Sequence, residues 1–592
     1  MKSKVMKKVI SVAIALVMIF SMIPMAFAAD NNVPVVIVPG MGAIDLVYLN
    51  VNGESTGTAV FPPNIANSIV EIIQTVLTLA FPEKDTVDVN AVYNYVKQIA
   101  DSMLAPLSCD ENGLSVYSVG VAKTWKTGST VYDISDVQSC ATGVDAKYLT
   151  SRDSAEPAVA KAICDSVGAE NVFIYKYDWR MTNYDFDGSG NLTNYPRELN
   201  AYIKAVKAQT GASKVKLVSG SMGTALVSQY VNEYKSDATA DVERCIFLSA
   251  AYQGTTLVGQ IMSGNLDLKK DNVKRYLSSM DLGIVNMLLN GSLYDALSAL
   301  LSSKKAEIYS DILYKYMKNI PGLWAVMNGA DVAAAKSAAG IKADTGIAAF
   351  IDRYFTAQNA FKSNMTALKS AGVDFAVVAQ YGFAGIPVTT NGNYYTDNLI
   401  DVKYASAGAT VAAYGEELSS GSQLSPDKRI DASTCLFPSN TWFIKGLGHM
   451  GYSTKVKTNE DKTVDTSSPY TVDLIAWLVS AASVPTIASD AKYPQFMYSN
   501  KDNQLLTMND ALASDYATAL NEANVEQKVA QATVTQTVVS DSPAIEVVSA
   551  NVSETAIADN DYTVVAVLAS IAVLAIAVAG AYMYFKKAKV TE

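Results

Sequence analysis

The sequence predicts an α/β fold built on a mostly parallel central β-sheet, with helical insertions that form a cap. Between residues 33 and 485, short apolar segments alternate with longer helical patterns, as a parallel sheet with crossover helices requires. Several apolar segments are nearly continuous, which is expected for strands covered on both faces. The predicted strands are Val33–Val38, Asn171–Tyr177, Lys214–Ser219, Arg244–Ser249, Val373–Gln380 and Trp442–Lys445.

Two helical segments between these strands predict the cap. The first, Asn64–Leu107, begins with isoleucines at helical spacing. The second, Leu282–Val326, carries a leucine-rich stripe. Apolar stripes on helices usually pack against the core, so ordinary packing helices are the alternative. Because both segments follow core strands, we expect them to cover the substrate.

Both ends of the chain predict contact with a membrane. A lysine-rich start, an apolar run and Ala26–Ala28 predict a signal peptide at residues 1–28, with cleavage after Ala29 or an uncleaved anchor as alternatives. Residues 563–585 contain no charge, which predicts a transmembrane helix rather than a buried core helix. Lysines follow in residues 586–592, and basic residues are typical of the cytoplasmic side. We therefore expect an exported protein anchored in the plasma membrane, with its catalytic domain outside.

The part between these ends divides at about residue 497. We expect an α/β catalytic domain over residues 29–497 and a C-terminal extension and stalk over residues 498–562. Residues 523–561 are rich in small and polar residues, with no glycine and one proline. That composition is typical of an extended or disordered stalk.

Composition excludes several classes of function. The formal net charge is −11, and an acidic surface repels the phosphate backbone of nucleic acids. The chain has one histidine, and no cysteine pair has the spacing of a zinc site, so we expect neither a metal nor another cofactor.

Five cysteines leave at least one thiol free. Cys109 and Cys140 are the disulfide candidates, whereas Cys245 lies in an apolar run typical of the core.

The segment Ser219–Gly223 predicts a nucleophilic serine at Ser221. It ends a predicted strand and opens a predicted helix, which is the context of a G-x-S-x-G nucleophile elbow. The sharp turn needs small residues two positions before and after the nucleophile, and Ser219 and Gly223 meet that need. A general base must then accept the serine proton, and His449 is the only histidine in the chain. It lies in a glycine-rich loop after a predicted strand, where such a base is delivered to the edge of a sheet.

A carboxylate that orients the histidine should lie between Ser221 and His449 in the chain. Asp397 and Asp401 follow the predicted strand Val373–Gln380, and the residues alone leave both open. Isolated aspartates in loops are usually solvated, so order and location support this assignment. The carboxylate would fix the ring tautomer and stabilise the imidazolium.

Two backbone amides are the candidates for an oxyanion hole. One belongs to Met222, the residue after the nucleophile, and the other to Met41, in the glycine loop after the first predicted strand. Donors that are already aimed at the developing negative charge stabilise the transition state. An ordinary strand-ending turn is the alternative for the loop at Met41.

Several segments together resemble the lecithin:cholesterol acyltransferase family of α/β-hydrolases. Pro34–Gly42 is similar to its opening strand and oxyanion loop, and Tyr177–Arg180 matches its Y-D-W-R motif. Ser219–Gly223 resembles its S-H-S-M-G elbow, with glycine in place of the usual histidine. Asp397–Ile400 is similar to its D-G-T-V acid loop, which favours Asp397 over Asp401, and His449 stands where the family has its last triad member.

This resemblance implies a serine hydrolase or O-acyltransferase. Such an enzyme cleaves or transfers a fatty acyl chain of a glycerophospholipid-like substrate through an acyl-serine intermediate. Two alternatives stay open: an esterase of the same fold that acts on non-lipid esters, and a catalytically inactive cell-surface binding protein. The expected partners are a lipid or ester substrate and the membrane, without nucleic acid.

Overall fold

The computed structural model describes residues 33–50, 54–61, 89–121, 137–142, 155–182, 184–185, 192–267, 269, 271–272, 302–385, 394–449, 451–452, 457–459 and 461–509. The predicted signal peptide, stalk and C-terminal transmembrane helix lie outside these residues. So do residues 64–88 and 282–301 of the two predicted insertions. Within the described ranges, no helix has both the length and the hydrophobicity needed to cross a bilayer.

An eight-stranded, mostly parallel sheet forms the centre of the structure. Its strands in chain order are β1 (Val35–Val38), β2 (Val172–Ile174), β3 (Val215–Gly220), β4 (Val242–Leu248), β5 (Asp374–Tyr381), β6 (Thr441–Lys445), β7 (Phe496–Ser499) and β8 (Leu505–Thr507). They lie side by side in the order β8-β7-β6-β5-β4-β3-β1-β2, and only the β7–β8 pair is antiparallel. The predicted α/β architecture with a mostly parallel sheet is therefore confirmed.

Helices cover the central strands. They are α1 (Val89–Leu104), α2 (Ala155–Val167), α3 (Tyr195–Thr210), α4 (Met222–Glu233), α5 (Lys235–Asp241), α6 (Thr256–Met262), α7 (Lys305–Ile308), α8 (Tyr314–Tyr316), α9 (Pro321–Ala325), α10 (Val332–Ala338), α11 (Gly346–Ser370), α12 (Val402–Ala405) and α13 (Thr471–Ser480). Helix α2 packs against α13, while α4 packs against α3 and α11. Strands β3, β4 and β5 are buried almost throughout, as expected for parallel strands covered on both faces.

Shorter elements complete the described fold. A three-stranded antiparallel sheet combines Leu46–Leu49, Ser55–Phe61 and Val119–Gly120. Two-stranded pairs join Tyr184–Asp185 to Leu192–Thr193, Phe383–Ala384 to Tyr395–Thr396, and Thr410–Val411 to Ile430–Asp431. Single 3₁₀ turns cover Ala105–Leu107, Ala169–Asn171, Ala432–Thr434 and Pro438–Asn440, and a π-helical turn covers Tyr309–Leu313.

The end of the sheet differs from the prediction. All six predicted strands are present within a few residues of their expected bounds, but the domain boundary predicted at residue 497 falls inside β7. Strands β7 and β8 extend the sheet to Thr507. Both are short, and the polar turn Asn500–Asn503 separates them, so too few apolar residues stand together to indicate a strand. The extension predicted to begin at residue 498 therefore starts with sheet structure.

The described parts of the two predicted insertions contact each other. The Tyr93 hydroxyl on α1 donates to Asp311 Oδ2 at 2.8 Å. The Tyr316 hydroxyl donates to Asp101, and Lys315 Nζ lies 3.3 Å from the same carboxylate. Segments more than 200 positions apart in the chain thus form one unit through polar side chains.

The cysteines lie in the core. Cys109 is buried with a free thiol, so the candidate disulfide to Cys140 does not form. Burial raises the pKa of Cys109 to about 12, which keeps this thiol protonated and unreactive. Cys245 is buried within β4, as its apolar surroundings predict.

The turn between β3 and α4 is shaped by its contact with the end of β1. A side chain at Gly223 would place its Cβ 2.2 Å from the Val38 carbonyl oxygen and 2.6 Å from that of Pro39. These are backbone atoms of a central strand, which cannot move aside without disrupting the sheet. By contrast, a Cβ at Gly220 would meet nothing closer than the Leu248 carbonyl oxygen, at 3.9 Å. Only Gly223 must be a glycine for steric reasons, because a side chain has room at Gly220 but not at Gly223.

This difference predicts opposite effects on stability. Gly223→Ala should lower the free energy of unfolding by about 1–3 kcal/mol or more, because the added methyl group overpacks the backbone of β1. Gly220→Ala is the matched control, and it should be neutral or stabilise by up to about 1 kcal/mol through the unfolded state. Denaturant unfolding of both variants measures this. Equal destabilisation by the two substitutions would contradict the close approach at Gly223.

Candidate active site

Ser221 occupies the strained turn between β3 and α4. Its backbone has φ 47° and ψ −125°, a conformation that residues with a side chain rarely adopt. The turn is held from both sides, because the Ser221 N–H donates to the Leu248 carbonyl at 3.0 Å and the Thr224 hydroxyl donates to the Ser221 carbonyl at 2.6 Å. Ser221 thus lies on a tight strand-to-helix turn, at the position where the sequence predicts a nucleophile elbow.

The imidazole of His449 lies between a serine and a carboxylate. His449 Nε2 is 2.9 Å from Ser221 Oγ, and His449 Nδ1 is 2.7 Å from Asp397 Oδ2. The His449 N–H also donates to the Asp397 carbonyl at 2.6 Å, which ties the two loops together through the backbone. His449 and Asp397 are both buried. The structure thus brings together three residues that are up to 228 positions apart.

Asp397 is fixed in place by its own loop. Its Oδ1 accepts the N–H groups of Leu399 at 3.0 Å and Ile400 at 2.6 Å. Asn398, between them in the turn, has φ 82°, a left-handed conformation that asparagine tolerates better than most residues. With Oδ1 engaged by the backbone, Oδ2 is directed at the imidazole.

Asp401, the other candidate acid, is engaged elsewhere. Its Oδ2 accepts the Thr256 N–H at 2.9 Å, and its Oδ1 accepts the Thr256 hydroxyl at 2.7 Å. This carboxylate therefore holds the start of α6 and not the imidazole. Burial raises the pKa of Asp401 to about 6.

Two buried polar residues that the sequence did not single out hold the histidine loop. Gln380, at the end of β5, donates from Nε2 to the Gly448 carbonyl at 2.9 Å. The Ser249 hydroxyl donates to Gln380 Oε1 and lies 3.3 Å from the His449 carbonyl oxygen. Both residues follow apolar runs at the carboxyl ends of parallel strands, where ligand sites of open α/β sheets occur. Their position at the ends of predicted strands is the sequence signal that could have identified these two residues.

The loop after β1 packs against the elbow. The Tyr177 hydroxyl donates to the Pro39 carbonyl at 2.8 Å, and the same carbonyl lies against Gly223. Met41, two residues further on, is buried. Met222 is the first residue of α4, and an amide in the first turn of a helix has no partner within that helix. Both candidate oxyanion donors therefore lie in segments adjacent to the Ser221 turn.

The Y-D-W-R motif has a supporting role in the described structure. Asp178 and Arg180 form a fully buried ion pair at 2.6 Å. Arg180 also donates to the Val119 carbonyl at 2.7 Å and to the Ser115 hydroxyl at 2.8 Å. The motif thus connects the end of β2, the loop after β1 and the segment that follows α1. Through Tyr177 it holds the loop after β1 beside the Ser221 turn.

A cavity that is open to solvent lies beside Ser221. Its wall is mainly apolar, and its polar side chains come from serine, histidine and tyrosine. The lining residues are Ile37, Pro39, Val159, Val218, Gly220, Ser221, Leu248, Ser249, His449 and Tyr452. Among the described residues of the two predicted insertions, none lines this cavity. An apolar cavity with a few convergent polar groups is typical of a small-molecule site.

The family model for lecithin:cholesterol acyltransferase matches residues 163–274, and no curated protein matches the chain. The matched range includes the Y-D-W-R motif and the elbow at Ser221 but does not reach Asp397 or His449. The match confirms, over residues 163–274, the resemblance to the lecithin:cholesterol acyltransferase family inferred from the motifs.

Proposed function

We propose that this protein is a serine-nucleophile lipid esterase or acyltransferase. It cleaves or transfers a fatty acyl chain of a glycerophospholipid-like substrate. The observation that carries the proposal is the position of the His449 imidazole, 2.9 Å from Ser221 Oγ and 2.7 Å from Asp397 Oδ2. The family match supports an acyltransferase or hydrolase that acts on lipids, and the mainly apolar cavity beside Ser221 suits an acyl chain.

In the proposed reaction, Ser221 Oγ attacks the carbonyl carbon of the ester while its proton passes to His449 Nε2. The N–H groups of Met41 and Met222 stabilise the negative charge that develops on the carbonyl oxygen. His449 then gives the proton to the leaving alcohol, and an acyl-Ser221 ester remains. Water or a second alcohol, deprotonated by His449, releases the acyl group and restores the serine.

Asp397 acts through the histidine. Its Oδ2 accepts a hydrogen bond from the Nδ1–H group, so the neutral imidazole carries its proton on Nδ1 and Nε2 is left free to accept the proton of Ser221. The carboxylate also stabilises the imidazolium formed during each half of the reaction. Asp401 cannot replace it in this geometry, because both of its oxygens are engaged by Thr256.

The fold in this proposal is that of an α/β-hydrolase, and the two insertions form its cap. The described contacts between α1 and the segment 302–326 support a single cap unit. Such a unit would exclude water from the acyl-enzyme and so influence whether water or an alcohol accepts the acyl group.

Substitutions in the triad test the chemistry. Ser221→Ala and His449→Ala should each reduce kcat on an ester substrate by about 10⁴-fold or more, because triad residues act as one unit. Asp397→Asn should reduce kcat by about 10⁴-fold through the wrong imidazole tautomer. Asp401→Asn is the matched control and should retain more activity than Asp397→Asn. Circular dichroism checks that all four variants fold, and wild-type turnover by His449→Ala would contradict the mechanism.

Chain length tests the lipid substrate. Each buried methylene contributes about 0.8 kcal/mol, so kcat/KM should rise by up to about fourfold per methylene until the cavity is full. The measurement uses esters from acetyl to about eight carbons, all below their aggregation limits. Val159→Thr places a hydroxyl in the cavity wall and should reduce turnover of long chains more than of acetyl esters.

The control for this experiment is Val231→Thr, which introduces the same hydroxyl at a buried position on α4 away from the cavity. It should not change the ratio of long-chain to acetyl turnover. A preference for acetyl esters over longer chains would replace the lipid substrate by a water-soluble ester. Absence of turnover on every ester would favour an inactive binding protein.

The proposal places the enzyme outside the cell, anchored by residues 563–585. We expect the full chain to stay with membranes during a high-salt wash and to enter solution with detergent, because a hydrophobic span is not released by ionic strength. Truncation before Thr563 should give a soluble protein with unchanged kcat/KM. Fractionation followed by immunoblotting measures this. Recovery of the full chain in the salt wash would contradict the anchor.

A further inference from the structure

Tyr452 shares the cavity with the candidate nucleophile. It lies three positions after His449, lines the same cavity as Ser221 and His449, and is only 5% exposed. Within the part of the chain that the structure describes, its hydroxyl has no hydrogen-bond partner. A buried hydroxyl of this kind is uncommon, because bulk water cannot satisfy it.

The other polar side chains of the cavity are already engaged. Ser221 and His449 contact each other, and Ser249 donates to Gln380. The remaining lining side chains are aliphatic or proline, apart from Gly220, which has no side chain. Among the described residues, Tyr452 therefore contributes a hydroxyl without a hydrogen-bond partner to a mainly apolar wall, with the Ser249 hydroxyl as a polar neighbour. A polar group in such a position is a means of selecting ligands that carry a complementary group.

The phenol stays in its donor form. Burial raises the pKa of Tyr452, and the nearby Ser249 hydroxyl opposes this rise only in part. At neutral pH, Tyr452 Oη therefore carries its proton. A carboxylic ester offers only acceptor oxygens, which suits such a donor.

We propose that Tyr452 Oη donates a hydrogen bond to an oxygen of the bound ester, which makes Tyr452 a substrate-contacting residue that favours esters with an acceptor at this point. This inference rests on the proposed esterase or acyltransferase function. Tyr452 follows β6 and the histidine loop, whereas the candidate oxyanion donors follow β1 and β3. The two sets of donors therefore approach the substrate from different elements of the sheet.

The test is Tyr452→Phe, which removes one oxygen and keeps the ring. We expect kcat/KM on an oxygen ester to fall about 5- to 50-fold, as for loss of a buried hydrogen bond to substrate. The thermal midpoint should stay unchanged or rise, because the unliganded protein loses an unpaired buried hydroxyl. A residue with a merely structural role would lose stability together with activity.

The matched control is Tyr230→Phe. Tyr230 lies on α4, is fully buried, and also has a hydroxyl without a partner among the described residues, but it does not line the cavity. Its substitution should leave kcat/KM within about twofold of the wild-type value while affecting stability in the same direction as Tyr452→Phe.

Paired oxygen esters and thioesters of one acyl chain identify the acceptor. A loss confined to oxygen esters assigns the bond to the alkoxy oxygen, and an equal loss on both assigns it to the acyl carbonyl oxygen; either result supports the proposal. Wild-type kcat/KM in Tyr452→Phe on both substrates, or a loss accompanied by a lower thermal midpoint, would overturn it. If the wild-type protein neither turns over esters nor reacts with a fluorophosphonate, the proposed function itself fails.

Discussion

The approach of the β1 carbonyls to Gly223 is the constraint on which the candidate site depends. This contact fixes the distance between the loop after β1 and the turn that carries Ser221. The atoms involved are backbone atoms that the sheet holds in place. The same contact accounts for the strained backbone of Ser221, because the chain must leave β3 and enter α4 without colliding with β1. Tyr177 reinforces this arrangement by donating to the Pro39 carbonyl. The candidate nucleophile and the candidate oxyanion loop are thus positioned by one packing interaction.

The histidine is positioned by a second, polar layer. Gln380 and Ser249 lie at the ends of adjacent strands β5 and β4 and hold the carbonyls of Gly448 and His449. Asp397 holds the same loop from the other side through both its backbone and its carboxylate. These groups are buried, so each would be costly to leave unpaired. That cost favours a single orientation of the imidazole over a set of alternatives.

The sequence predicted the parts of this structure that depend on local pattern. Continuous apolar runs located six strands, and the small residues around Ser221 located the elbow, because both follow from sterics within a few residues. Strands β7 and β8 were missed because each is only three or four residues long, and because β6, the partner of β7, lies about 50 positions away in the chain. The choice between Asp397 and Asp401 depended on which carboxylate the Thr256 backbone engages, and that contact joins segments 145 positions apart. Gln380, Ser249 and Tyr452 were likewise not identified from local patterns, since the end of β5, the residue after β4 and the segment after His449 come together only in the folded structure.

The central claim is that Ser221 is a nucleophile activated by His449, and covalent trapping tests it most directly. A fluorophosphonate should form one adduct per chain, and peptide mass spectrometry should place that adduct on Ser221. The neighbouring Ser219 provides an internal comparison, because it is fully buried near the end of β3, two residues before Ser221, and the serine in contact with the imidazole is Ser221. Labelling of Ser221 that disappears in His449→Ala is the result this account predicts. No adduct, or an adduct on another residue, would contradict it.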